Sequence, residues 1–108
     1  MPFYLIEVGY TSEAWKTQVN KPQDRSKALA PVIKKAGGKL IGFWYTFGDR
    51  DAILIVEMPN NVGAAALSLA TAAGGAVRSF KTTPLLTVKE GIAAMRKAQT
   101  SGYTPPKK

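Results

Sequence analysis

The sequence predicts an α+β fold, one four-stranded antiparallel sheet with helices laid against it. Three observations carry this. Residues 38–59 read GKLIGFWYTFGDRDAILIVEMP, two strand-like runs at 39–47 and 52–58 around the polar break Gly48-Asp49-Arg50-Asp51. Runs rich in β-branched and aromatic residues flanking such a break make a β-hairpin. Further strand-like runs stand near each end of the chain, each separated from the hairpin by helix-like segments. Finally, both hairpin runs are apolar on both faces. A strand of that kind must be covered on both sides.

The elements follow in order. Residues 3–8 form the first strand, apolar on both faces apart from Glu7, and Gly9-Tyr10 end it. Ser12 is a good N-cap for a short helix over 13–20, with Trp15 and Val19 sharing its buried face. Pro22 suits the first turn of a second helix. Ala28, Leu29, Val32, Ile33 and Ala36 give that helix an apolar side with lysines opposite. Pro31 lies inside the pattern and predicts a kink or reset. Gly37-Gly38 stop it. In the hairpin, alternation sets Leu40, Trp44 and Thr46 against Ile41, Phe43, Tyr45 and Phe47, and Gly48 is free to take a positive φ in a four-residue loop.

Pro59-Asn60-Asn61 opens a helix over 62–73, closed by Gly74-Gly75. Its side chains are nearly all small, which permits close approach of a neighbouring backbone. Residues 76–83 form a polar edge strand that stops at Pro84. Thr87-Val88-Lys89-Glu90 is a capping box opening a last helix to Gln99. Residues 1–99 therefore make one domain and 100–108 a polar, Pro-containing tail held by a neighbouring subunit if by anything. The order β-α-β-β-α-β with an extra C-terminal helix is the ferredoxin-like plan. The first and third strands are expected side by side in the middle and parallel, with the second and fourth at the edges. One sheet face then stays bare, and a second copy of the chain is expected to cover it.

Composition narrows the chemistry. The 108 residues contain neither Cys nor His. Disulfides, thiolate nucleophiles, the commonest metal ligand and the usual general base are thereby excluded, so no metal and no cofactor is expected. No apolar run approaches a membrane span and no signal peptide is evident, which makes a cytoplasmic location the default. The formal net charge is +8, with Lys16, Lys21, Arg25, Lys27, Lys34, Lys35 and Lys39 against one acid, Asp24, over residues 16–39. This reads first as a solvated face and alternatively as a weak surface for anions, including nucleic acid. Specific nucleic-acid recognition is not expected.

Candidate site residues are few. Glu7 and Glu57 each sit just before the end of a central strand. In register they would lie about 5 Å apart and could divide acid and base roles. The plainer reading has each exposed or neutralised by Arg78 or Lys81. Tyr4, Trp15, Trp44 and Tyr45 could line a pocket for a planar ligand, or be core and interface aromatics. Arg50, in the loop Asp49-Arg50-Asp51, and Arg78, on the fourth strand, could contact a ligand or partner; the plainer reading of the loop is a solvated turn with an internal ion pair.

The pattern Tyr10-Thr11, Asn20-x-Pro22-x-x-Arg25, Gly37-Gly38-Lys39-Leu40 and Gly48-x-x-Asp51 followed by Ile-Leu-Ile-Val-Glu-Met-Pro resembles the GYD-domain family over residues 3–98. Arg50 stands where that family usually has tyrosine, and Asn60 where it usually has aspartate. The resemblance implies a dimeric α/β-barrel in which two open sheets pack face to face. It brings no catalytic set, so whether the protein is an enzyme stays open. Three function classes follow: a dimeric module binding a small aromatic or anionic metabolite, with cofactor-independent chemistry as an option; a non-catalytic oligomeric module; and a nucleic-acid binder using the basic face. Pro2 at the head of the first strand resembles the tautomerase arrangement, but with Met1 in place its nitrogen is acylated.

Overall fold

A computed structural model describes residues 1–106. The chain runs β1 (Phe3–Tyr10), α1 (Ser12–Asn20), α2 (Arg25–Lys35), β2 (Lys39–Tyr45), β3 (Ala52–Glu57), α3 (Asn61–Ala73), β4 (Val77–Leu85) and α4 (Val88–Gln99). The sheet order is β2-β3-β1-β4. β1 runs antiparallel to both β3 and β4, and β2 antiparallel to β3. This is the ferredoxin-like plan with the expected strand order and an added helix. The expectation that β1 and β3 are parallel is corrected. The crossover from β1 sets β2 in the same direction as β1 but two places away, and the hairpin turns β3 back to lie antiparallel between them.

Antiparallel pairing with period-two alternation sorts the side chains. Tyr4, Ile6 and Val8 of β1 and Ala52, Leu54 and Val56 of β3 are buried on one face. Ile33 of α2, Ala64 and Leu67 of α3, and Met58 close that core from above. Burying Ile33, Val56 and Met58 completely contributes on the order of 1.5–3 kcal/mol each. Phe3, Leu5 and Glu7 of β1 alternate with the core residues, as do Ile53, Ile55 and Glu57 of β3. All six are half-buried by their own sheet neighbours. They form the second face, on which no helix among the described residues packs.

Local chemistry explains most boundaries. Thr11, not Ser12, caps α1, accepting from the Ala14 N–H at 3.1 Å. Val19 is 72% exposed, so it does not share a buried face with the half-buried Trp15. Asp24 caps α2, accepting the Ser26 N–H at 3.0 Å, and Pro22 stays in the connection before the helix. α2 continues through Pro31 instead of breaking there. Its end is a Schellman motif: Gly37 has φ 88° and the Gly38 N–H reaches the Ile33 carbonyl at 2.9 Å. Asn60 caps α3 and the Thr87–Glu90 capping box opens α4.

β2 departs from simple alternation. Its pairing with β3 slips between Leu40 and Gly42, a β-bulge. Leu40 and Phe43 therefore both pack on the core, while Ile41 is left 45% exposed. Trp44 lies on the open face with its ring over Gly42, where an added Cβ would come within 2.9 Å of Trp44 Cζ3. The hairpin loop spans six residues between β2 and β3, not four, and Gly48 has no positive φ.

α4 stands apart. None of its residues is buried, and all but Gly91 are exposed. The Cα radius of gyration is 17.4 Å, against about 13 Å for a compact chain of this length. The largest extents, 57 × 37 × 22 Å, describe a flat body with an arm.

Candidate functional site

The antiparallel register separates the two glutamates. Glu7 faces Ile53, whereas Glu57 faces Phe3, four residues further along the ladder. That is about 13 Å of strand, too far to share a proton. The pair read from sequence is thus corrected: residues near the C-terminal ends of antiparallel neighbours lie at opposite ends of the sheet. Each has a basic neighbour instead. Glu7 faces Lys81 of β4 and lies 4.0 Å from Arg50 Nε, and Glu57 faces Lys39 of β2.

The four aromatics also divide. Tyr4 is 2% exposed and its hydroxyl donates to Asn61 Oδ1 at 2.6 Å, a satisfied core tyrosine. Trp44 lies on the open sheet face. Trp15 of α1 and Tyr45 of β2 come together, with ring centroids 6.3 Å apart. They belong to a chain of rings. Tyr10 meets Trp15 edge-on at 5.3 Å, and Phe43 meets Tyr45 edge-on at 5.3 Å. Outside the chain is a cleft of about 200 Å³ lined by Trp15, Gln18, Val19, Pro22, Gln23 and Tyr45. Inside it, between sheet and helices, is an apolar cavity of about 40 Å³ bordered by Tyr10 and Phe43. The inner cavity is too small for a metabolite and too apolar for ordered water.

Electrostatics converge on the same end of the sheet. Burial pushes the Tyr10 phenol above its ordinary value of 10.0, Tyr45 adds to that, and Arg25 opposes it. Asp51, last residue of the hairpin loop, accepts the Tyr10 N–H at 2.8 Å and lies 3.4 Å from Arg78 Nη2. Burial would raise the Asp51 pKa, but the Tyr10 N–H, the Trp15 side chain and Arg78 outweigh it and hold the carboxyl below its ordinary 3.8. Arg50 turns towards the open face, donating to Ser79 Oγ at 2.9 Å. Arg50 and Arg78 thus clamp the loop to β1 and β4.

Sequence reasoning singled out Trp15 and Tyr45 but not Tyr10, Phe43, Gln18, Arg25 or Asp51 as their neighbours. By sequence alone Tyr10 marks the end of the first strand. A signal lay in its place two residues after Val8, on the same face as the core positions Tyr4 and Ile6.

Fold and site together define a small ferredoxin-like α+β domain with its hairpin loop pinned across the sheet end. A comparison with protein families matches the GYD domain over residues 4–95. The chain belongs to the GYD-domain family. No curated protein matches it. No helix among the described residues is long and apolar enough to cross a membrane.

Proposed function

We propose that the protein is a homodimeric α/β-barrel module that holds a small planar anion in the cleft between α1 and β2. The observation that carries this is the pair Trp15 and Tyr45 flanking a cleft of about 200 Å³. Aromatic walls favour a flat, apolar body. Arg25, half-buried at the start of α2 and acting on the Tyr10 phenol, supplies positive charge on that side. Gln18, whose Oε1 lies 3.5 Å from the Tyr45 hydroxyl, adds a polar group at the rim. Dimerisation rests on the second sheet face, where Leu5, Ile53 and Ile55 meet no helix. No reaction is assigned to the site, because Glu7 and Glu57 are too far apart to act as a pair.

The test uses the two tryptophans, which lie on opposite faces. In a Trp44→Phe variant the emission reports Trp15 alone. Titration with aromatic carboxylates is expected to quench it saturably. Tyr45→Ala is expected to weaken binding about tenfold, the loss of roughly 1.4 kcal/mol of ring contact. Arg25→Gln should weaken carboxylates but not their uncharged amides. No saturable change with any of these ligands would leave the second reading, a non-catalytic oligomeric module. The small inner cavity, about 40 Å³, favours that reading.

The basic surface is open for anions. Lys16, Lys21, Lys27, Lys34, Lys35 and Lys39 are all exposed. Association with nucleic acid is expected to be weak, indifferent to sequence and lost near 0.15 M salt, roughly one order of magnitude or more below its strength at 0.05 M. A sequence-selective complex that survives about 0.2 M salt in a gel-shift assay would overturn this.

A further inference from the structure

α4 is a twelve-residue amphipathic helix with nothing to pack on. Isolated helices of roughly this length are marginal in water, and tertiary contact supplies most of their stability. Val88, Ile92 and Met95, at i, i+4 and i+7, share one side and are 82%, 43% and 68% exposed. Leu86, just before the helix, is 66% exposed. The helix is nonetheless well started, with the Thr87 N–H donating to Glu90 Oε1 at 2.9 Å and the Glu90 N–H to Thr87 Oγ1 at 3.1 Å. Only Leu86 and Thr87 separate it from β4, and the capping box occupies Thr87. Beyond that connection α4 leaves the end of β4 with none of its residues buried against its own protomer.

A receptor of matching chemistry exists on the same molecule. An apolar groove of about 380 Å³ runs between α3 and β4, lined by Tyr4, Ala64, Ala65, Ser68, Leu69 and Pro84. Its small side chains admit a helix at short axial distance. Val62 and Leu69 of α3 are 78% and 71% exposed and seven residues apart, the spacing of Val88 and Met95. Charge discriminates between this groove and its counterpart. α3 carries no charged residue, whereas the groove between α2 and β2 is lined by Lys34 and Lys39. α4 carries Lys89, Arg96 and Lys97 against Glu90, so the lysine-lined groove repels it and the neutral one does not.

We infer that α4 of one copy seats in the α3–β4 groove of a second copy, and reciprocally. Donor helix and receptor groove flank the same edge strand, β4. A single two-fold axis beside β4 therefore seats both arms in one closed, self-complementary contact. The inference rests on the homodimer proposed above and adds to its sheet-face contact a second, exchanged one.

The chain has no cysteine, so introduced ones report without background. One preparation carries Ile92→Cys or Met95→Cys in α4, and another Ala65→Cys or Leu69→Cys in the groove. After mixing and oxidation, at least one α4–groove combination is expected to give a covalent dimer in several-fold excess over the same-variant products. In the unmodified protein, α4 amides should gain hydrogen-exchange protection as concentration rises. A double variant that cross-links within one chain would show α4 folded on its own groove and overturn the inference. So would cross-linking only between two α4 cysteines. So would α4 protection that needs anionic phospholipid vesicles instead of protein concentration. If no α4–groove cross-link forms while the wild type sediments as a dimer, the exchange falls and the dimer stands. A wild type that sediments as a monomer removes both.

Discussion

Leu5→Asp is expected to turn the proposed dimer into a folded monomer. Leu5 lies mid-way along β1, opposite Ile55 on β3 and Thr83 on β4, on the face no helix covers. In a monomer an aspartate there meets water and costs the fold little. In a face-to-face dimer it lies against its twin among Ile53, Ile55 and Phe3, without a cation of its own. An uncompensated buried charge costs about 3–5 kcal/mol, roughly two to four orders of magnitude in Kd. Sedimentation at low micromolar concentration is the measurement, with circular dichroism as the check on folding. Two neighbours sharpen it. Phe43→Asp, aimed at the core, should unfold the protein. Trp44→Asp, 51% exposed on the open face, should weaken the dimer less than Leu5→Asp. A wild type sedimenting at 11.6 kDa removes the dimer, and a dimeric Leu5→Asp moves the interface off the sheet face.

What could be read in the sequence was what neighbouring residues decide among themselves. The capping box at Thr87 and Glu90, the Gly37-Gly38 stop and the cap at Asn60 are contacts spanning five residues or fewer. The hairpin announced itself by composition, and the order of elements fixed the strand order. Apart from the cap of α1, which is Thr11 and not its neighbour Ser12, the larger departures depend on residues further away. Ile41 and Gly42 form a bulge because β2 must pair with β3 while Leu40 and Phe43 both reach the core, and alternation alone cannot reveal an inserted residue. Glu7 and Glu57 come together only if β1 and β3 run parallel, and the antiparallel pairing moves one carboxylate four residues along the ladder. Trp15 and Tyr45 were legible as aromatics with a pocket in view. Trp44 does not join them because it faces the open side of the sheet, and Tyr4 because it lies at the other end of β1, bonded to Asn61. Val19 follows helical spacing but lines the open cleft beside Trp15 and Tyr45, 72% exposed. Asp51 was hardest to see. Its partners Tyr10, Trp15 and Arg78 come from three other elements, and its own loop reads as a solvated turn.

Asp51→Asn is expected to destabilise the fold by about 1.5–3 kcal/mol near neutral pH, the range for hydrogen bonds to a charged acceptor. The carboxylate accepts the Tyr10 N–H at 2.8 Å, lies 3.4 Å from Arg78 Nη2, and draws on the Trp15 side chain. The Asp51 N–H also donates to the Val8 carbonyl at 2.8 Å, which the substitution leaves intact. The amide can keep the loop's shape but not its charge, and it presents one oxygen where the carboxylate presents two. The neighbouring Asp49, exposed, should tolerate the same change within about 0.5 kcal/mol. The pH dependence gives the sharper signature. Because the folded-state pKa lies below the ordinary 3.8, the unfolded chain takes up the proton first. The stabilisation is therefore fully present above the unfolded value and is lost as pH falls through the folded one. The stability gap between wild type and Asp51→Asn, from urea unfolding between about pH 6 and pH 2, should hold constant at the upper end and narrow below about pH 4. A gap that persists undiminished to the acid end would mean that shape, not charge, holds the loop across the end of the sheet. In that case Arg78→Gln, which removes the cation but not the Tyr10 hydrogen bond, should also be nearly silent.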